Sequence, residues 1–104
     1  MKKSFHYQAD RFNRAELIRN YIGYGKVIAS FRWDRGHRNG PEIHRITSTG
    51  IIRIYNERTH KLVTELIARP TQITRYFEAV GKTAPKELVD LAYYHTKMGY
   101  NDVY

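Results

Sequence analysis

Histidine, acidic and arginine side chains are concentrated in the middle of the chain, and their types suit acid–base chemistry on a phosphate. Metal-independent cleavage of RNA needs a base for the 2′-hydroxyl proton, an acid for the departing 5′-oxygen and a cation for the crowded phosphate. Histidine titrates near neutral pH and can serve as base or acid. The candidate catalytic residues are His37, Glu42, His44, Arg53, Tyr55, Glu65 and Arg69.

The acids and histidines supply the proton-transfer candidates. Glu42 or Glu65 would be the base, and His37 or His44 the acid or base. A structural alternative stays open for each of them. Glu65 can be one half of a cross-strand ion pair, and the two histidines can be loop and strand-end residues without a chemical task.

The remaining candidates are cationic or aromatic. Arg53 and Arg69 would clamp phosphate, because a guanidinium group matches its oxygens with two donors. Tyr55 would stack on a base or donate a proton. The alternatives are that Arg53 is solvated surface and that Arg69 pairs with a neighbouring strand.

Metal and cofactor chemistry has no motif in this chain. There is no cysteine, and the spacing of His37, Glu42 and His44 matches no zinc-binding pattern. No phosphate-binding glycine loop, dinucleotide fingerprint, zinc-protease motif or nucleophile elbow is present. The sequence therefore predicts no metal and no cofactor.

The charge distribution points to a polyanionic partner. Eighteen Lys and Arg against ten Asp and Glu give a net charge of +8, and residues 26–75 hold ten of these bases against four acids. Eight of the ten bases are arginine, which suits phosphate and base stacking. The predicted nucleic-acid-binding residues are Arg32, Arg35, Arg38, Arg45, Arg58, Lys61 and Arg75.

The elements that must position these residues follow from hydrophobic periodicity. Asn13 with Glu16 predicts a capped helix over about residues 14–22, ended by Gly23. Alternating apolar residues predict four strands, over 26–33, 42–47, 51–56 and 62–68. After Pro70, helices are expected from a cap at Thr71 to Gly81, and from Thr83–Pro85 to Gly99.

These elements predict an α+β fold, with an N-terminal helix, a four-stranded antiparallel sheet and two C-terminal helices. All of the helices are expected to cover the same face of the sheet. The period of two puts Glu42 and His44 on the side of Ile46, and Arg53 with Tyr55 on the side opposite Ile52 and Ile54. If the isoleucines and leucines face the helices, the open sheet face presents Arg53, Tyr55, Glu65 and Arg69. His95, Tyr21 and Tyr76 are expected in the core.

The chain is predicted to be one domain over residues 1–104, with 1–12 as a flexible arm or an edge strand. It has no signal-peptide pattern and no run of apolar residues long enough for a bilayer. A cytoplasmic protein without a membrane partner is therefore expected, and the absence of cysteine suits a reducing compartment.

Over about residues 13–69, a helical part is followed by an antiparallel sheet that carries His, Glu, Arg, Thr and Tyr. This arrangement resembles the barnase–EndoU–colicin–RelE group of small RNases, many of them toxins. That resemblance implies metal-independent RNA cleavage through a 2′,3′-cyclic phosphate. The two helices after the sheet depart from the minimal plan of that group. The segments Gly36–His44 and Ile54–Asn56 are also similar to small phage-associated proteins.

Three functions follow as hypotheses from the sequence. The first is a metal-independent RNase of the toxin type, for which an antitoxin would be a protein partner. The second is a non-catalytic protein that binds a nucleic acid or a nucleoprotein complex, such as a phage inhibitor of the anti-CRISPR kind that acts on a target enzyme; the sequence leaves RNA, DNA and an acidic protein open as the partner. The third is a phage structural or assembly protein; the sequence leaves the oligomeric state open.

Overall fold

A computed structural model describes residues 13–36 and 38–102 of the chain. The elements follow the order helix, four strands and two helices, which confirms the expected α+β architecture. Residues 1–12, predicted to be an arm or an edge strand, lie outside the described residues, and so does His37. Among the helices that are described, none is long and apolar enough to cross a lipid bilayer.

The N-terminal helix begins at its predicted cap. The Asn13 side chain accepts a hydrogen bond from the Glu16 N–H at 2.8 Å, which satisfies a donor that the first turn leaves unpaired. Helix α1 spans Arg14–Leu17 and continues as a π-helical turn over Ile18–Ile22. Gly23 then adopts a φ of 82°, a conformation that glycine reaches without strain, and ends the helix.

Four antiparallel strands form a meander in the order β1-β2-β3-β4. They span Val27–Trp33, Glu42–Thr47, Ile51–Asn56 and Leu62–Ile67. Short connections favour this arrangement because consecutive strands can pair directly. The predicted strand bounds agree with the observed ones to within a residue, and β4 ends one residue earlier than expected.

Two helices follow the sheet, α2 over Pro70–Ala79 and α3 over Lys86–Lys97. The prediction that Thr71 caps the first of them is wrong, because the helix begins at Pro70. Proline suits the first turn of a helix, where its missing N–H has no intrahelical partner. Arg69 occupies the cap position, and its N–H donates to Gln72 Oε1 at 2.8 Å.

The main hydrophobic core lies between one sheet face and helices α2 and α3. Ile46 and Ile52 are directly opposite each other on β2 and β3, and both are fully buried. From the helices, Ile73, Phe77 and Leu88 pack against them. Each such side chain contributes about 1.5–3 kcal/mol when it is removed from water.

A second, smaller core lies on the opposite face, which corrects the expectation that all helices cover one face. Ile51 and Ile67 pair across β3 and β4 and point away from the main core. Ile51 and Ile67 are each next in sequence to a residue of the main core. Because successive residues of a strand point to opposite faces, these two side chains must point away from that core. Leu17 and Ile18 of the N-terminal helix cover them, and Arg45, farther along the same face, is exposed.

His95 lies in the core, as predicted, and is 3% exposed. Its Nδ1 atom has no hydrogen-bond partner among the described residues, and burial lowers the pKa of its imidazole. The ring contacts Tyr94 and Tyr100. Tyr21, also expected in the core, is 60% exposed instead.

His95 should make the fold sensitive to acid. A lowered pKa in the folded state means that the unfolded chain binds the proton first, so the free energy of unfolding falls as the pH drops below about 6.5, the ordinary histidine value. We expect His95→Gln to remove part of this loss. Urea denaturation of both proteins at pH 7.5 and at pH 5 measures it; an equal loss in the two proteins would contradict the prediction.

Candidate functional site

A cleft opens where the ends of β1 and β2 meet the first two turns of α2. Its cavity has a volume of about 270 Å³. The lining side chains combine aromatic surface with hydrogen-bond donors, and we name the site the Trp33 cleft. Its lining residues are Trp33, Arg35, His44, Gln72, Arg75 and Tyr76.

Simple periodicities bring these side chains together. On α2, Gln72, Arg75 and Tyr76 stand at positions i, i+3 and i+4, so they share one face of the helix. On the sheet, Trp33 is the last residue of β1 and pairs with Glu42 of β2. Side chains two residues apart on a strand share a face, which places His44 beside that pair.

A chain of hydrogen bonds runs through His44 in the wall of the cleft. Its Nε2 atom lies 3.0 Å from Glu42 Oε1, and its Nδ1 atom is hydrogen-bonded to the Tyr76 hydroxyl. The imidazole is 7% exposed, so these two partners satisfy a polar ring that would otherwise be buried unpaired. The result is a carboxylate, an imidazole and a hydroxyl in series.

The partners of His44 determine its tautomer. An ionised carboxylate only accepts hydrogen bonds, so the Nε2 atom that faces Glu42 carries a proton. In neutral His44 the Nδ1 atom therefore accepts from the Tyr76 hydroxyl. Burial, reinforced by the negative charge of Glu42, raises the pKa of Tyr76 above its usual value of 10, so its hydroxyl is a neutral donor at physiological pH.

Aromatic rings form the wall of the cleft beside the histidine. The Trp33 and His44 rings are stacked with centroids 5.7 Å apart, and Trp33 meets Tyr76 edge-on at 6.1 Å. The Arg35 guanidinium lies over the Trp33 ring, with its carbon 4.6 Å from the ring centroid. The cleft therefore combines flat apolar surface with a cation at its mouth.

Arg35 and Arg75 give the cleft its charge. Both are exposed, and no acid of the described residues forms an ion pair with either of them. The Glu42 carboxylate is hydrogen-bonded through one of its oxygens to His44. Two uncompensated guanidinium groups at a concave surface favour an anionic ligand.

More basic side chains stand at the same end of the sheet. The β1–β2 and β3–β4 loops meet there, since the Asn56 side chain donates to the Asn39 carbonyl at 2.9 Å. Arg38, Arg58 and Lys61 are exposed on these loops. The Arg58 guanidinium lies against Gly40, so close that a Cβ atom added to Gly40 would be 2.8 Å from Arg58 Nε. Arg32 differs from them, because Glu57 binds it through two hydrogen bonds.

The other predicted catalytic residues lie on the opposite sheet face. Arg53 and Tyr55 point away from α2 and α3, as predicted, and therefore away from His44. Glu65 is largely buried between Arg53, at 3.4 Å, and the Tyr24 hydroxyl, which donates to it at 3.2 Å. The expected single constellation is thus divided between the two faces of the sheet.

Arg69 is separate from both groups. It was expected to share the open sheet face with Glu65, but β4 ends at Ile67 and the chain turns into α2. There the Arg69 guanidinium pairs with Asp102 at 2.9 Å. Because the backbone leaves the sheet before Pro70, strand alternation does not extend to this residue.

Trp33 and Gln72 were not among the predicted site residues. Tyr76, expected in the core, does pack against the main core, but its hydroxyl also contacts His44 in the cleft. A local signal existed in the spacing of Gln72, Arg75 and Tyr76, which puts polar and cationic groups on one helix face. The contact of that face with β2 depends on how α2 packs across the sheet, which the pattern alone does not specify.

In the part of the chain that the structure describes, no three His, Asp or Glu side chains are grouped to hold a metal ion. Comparisons with protein-family models, with curated proteins and with solved structures found no match in any of the three. The case for a function therefore rests on the geometry of the site.

The hydrogen bonds of His44 predict its protonation pattern. Neutral His44 should be the Nε2–H tautomer, because Glu42 accepts at that atom and Tyr76 donates at Nδ1. The ¹⁵N chemical shifts of the ring, recorded at neutral to slightly alkaline pH, distinguish the two tautomers. Finding the Nδ1–H tautomer would contradict the described network.

Proposed function

We propose that this chain binds single-stranded RNA and seats one nucleotide in the Trp33 cleft. The observation that carries the proposal is the pair of guanidinium groups, Arg35 and Arg75, that flank an aromatic cavity without an acidic partner among the described residues. Phosphate is the anion that such planar donors match best, and the Trp33 ring offers a surface for a base.

The donors in the cleft favour a ligand rich in acceptors. Arg35 and Arg75 only donate, whereas the Tyr76 hydroxyl gives its one proton to His44 and offers a ligand only its oxygen as an acceptor. The side-chain oxygen of Gln72 accepts from the Arg69 N–H, so its amide offers the remaining N–H groups. Phosphate oxygens and the carbonyl edges of a base complement such a set.

A polymer fits the charge distribution better than a small phosphate does. One phosphate needs two or three donors, whereas Arg38, Arg58 and Lys61 extend the basic surface along the same end of the sheet. The whole chain carries a net charge of +8. Basic residues arranged beyond the cleft would hold the phosphates that flank the bound nucleotide.

The shape of the cleft favours a single strand, and its polar groups favour RNA. A base that stacks on Trp33 must be unpaired, since duplex bases are stacked on each other. The Tyr76 hydroxyl gives its proton to His44, so its oxygen can accept a hydrogen bond from a 2′-hydroxyl. DNA lacks that hydroxyl and would bind more weakly at this position.

The binding proposal predicts a fluorescence signal from the only tryptophan of the chain, Trp33. Uridine monophosphate should quench its emission on binding, and Arg75→Ala should weaken the affinity by roughly tenfold, the loss of one charge-assisted hydrogen bond. A fluorescence titration measures both quantities.

The matched control is Lys97→Ala, which removes the same charge from the last turn of α3, away from the cleft. It should bind as the wild type does. Equal losses in the two variants would mean that the cations act only through overall charge, and no quenching in the wild type would contradict seating of a nucleotide against Trp33.

Cleavage of the bound RNA is the second candidate function, and the serial arrangement of Glu42, His44 and Tyr76 favours it. A carboxylate that stabilises an imidazolium and a hydroxyl that contacts the other ring nitrogen form a proton relay. The relay ends at the cleft, where Arg35 and Arg75 would stabilise the charge that develops on the phosphate.

The relay can carry every proton that moves in this reaction. The 2′-hydroxyl would pass its proton to the Tyr76 oxygen while Tyr76 passes its own to His44 Nδ1, leaving an imidazolium beside Glu42. The 2′-oxygen bonds to phosphorus, the bond from phosphorus to the 5′-oxygen breaks, and the relay returns the proton to that oxygen. The products are a 2′,3′-cyclic phosphate and a 5′-hydroxyl.

If the chain cleaves RNA in this way, EDTA should not inhibit it and Tyr76→Phe should slow it by about a hundredfold or more, the usual contribution of a proton-transfer group. Labelled poly(U) and analysis of its 3′-termini measure rate and product. Lys97→Ala serves as the control for the fold and charge. Undiminished cleavage by Tyr76→Phe, or none by the wild type, would exclude the relay and leave binding as the function.

A further inference from the structure

A group of cations and rings lies on the open sheet face, on the other side of the sheet from the Trp33 cleft. Arg45 of β2 and Arg53 of β3 are directly opposite in the strand register. Their guanidinium carbons lie 4.8 and 5.6 Å from the centroid of the Tyr55 ring, and Arg53 is also 4.7 Å from that of Tyr24. We name Arg45, Arg53 and Tyr55 the arginine face.

The arginine face carries one uncompensated charge. Like charges directly opposite on neighbouring strands repel each other. Glu65 compensates Arg53, from which it is 3.4 Å away. Arg45 is exposed, and no acid in the described ranges forms an ion pair with it. An anion bound beside Arg45 would relieve the repulsion that the register imposes.

The packing of these side chains pre-organises them. Glu65 is fixed by the Tyr24 hydroxyl, and its own backbone carbonyl accepts from the Arg14 guanidinium at 2.6 Å. Arg53 is thereby restrained between Glu65 and the two rings. Guanidinium groups that already contact rings lose less conformational freedom when they bind a ligand.

We propose that the arginine face binds a further segment of the same single-stranded RNA, outside the cleft. A phosphate would bind the N–H edges of Arg45, and a neighbouring base would stack on the guanidinium and tyrosine surface. This inference rests on the proposed RNA binding and extends it to the second face of the sheet. The strand would pass around the β1 side or the loop end of the sheet to contact both faces.

Nucleic acid fits this face better than an acidic peptide does. A peptide carboxylate would engage only the edges of the guanidinium groups. A nucleotide supplies a phosphate for the edges and a flat base for the stacked surface, so it uses both features. Ile43, directly opposite Tyr55 and half-buried, adds apolar area beside the ring that a base could cover.

Binding to poly(U) and to uridine monophosphate separates the two surfaces. Arg45→Ala should lower the affinity for poly(U) by about fivefold to tenfold and reduce the slope of log K against log salt by about 0.7, the share of one phosphate on a single strand. Its affinity for uridine monophosphate, read from Trp33 fluorescence, should stay unchanged. Arg45→Lys should restore the salt slope but only part of the affinity, because lysine keeps the charge and loses the planar stack.

Lys97→Ala is the control of equal charge, and Arg45 is exposed, so both variants should keep the fold and its circular dichroism. Poly(U) binding by Arg45→Ala equal to that of Lys97→Ala would overturn the inference. So would Arg45-dependent binding of poly-L-glutamate in place of poly(U), since the face would then take an acidic peptide. Loss of monophosphate binding in the wild type would refute the cleft alone, and the poly(U) result would still decide the arginine face.

Discussion

The rest of the structure depends on one constraint. Isoleucine side chains from β2 and β3 are buried beneath the two C-terminal helices. Because successive strand residues point to opposite faces, this burial turns Glu42 and His44 toward α2 and turns Arg45 and Arg53 away from it. A slip of one residue in the register would exchange the two sets and bury the arginines. Hydrophobic packing therefore decides which chemistry each face presents.

The position of His44 shows how packing and chemistry share the same contacts. A ring placed at the margin of a hydrophobic core needs partners for both nitrogens, and Glu42 and Tyr76 supply them. The bond between His44 and Tyr76 joins β2 to α2, so it contributes to the fold. The same bond positions the Tyr76 hydroxyl at the cleft, beside Arg35 and Arg75, where the proposed cleavage would use it to relay a proton.

Local patterns predicted much of this structure. The bounds of β3, the cap at Asn13 and the sides of the central strands follow from periodicity and capping, which neighbouring residues determine. The site was less predictable, because it depends on contacts between distant segments. The contact of Tyr76 with His44 requires the packing angle of α2, and Arg69 left the predicted face because the chain turns at Pro70. The packing of the N-terminal helix over Ile51 likewise depends on contacts between segments that are distant in sequence.

The central claim is that the Trp33 cleft receives a nucleotide between its ring and its two arginines. Its most direct test is a two-dimensional ¹H–¹⁵N spectrum of the labelled protein during titration with uridine monophosphate. We expect the indole N–H of Trp33 and the side-chain amide of Gln72 to shift together with saturation, while the amides of α3 near Lys97 stay in place. Absence of shifts at Trp33 and Gln72, with saturable shifts elsewhere on the molecule, would contradict this assignment.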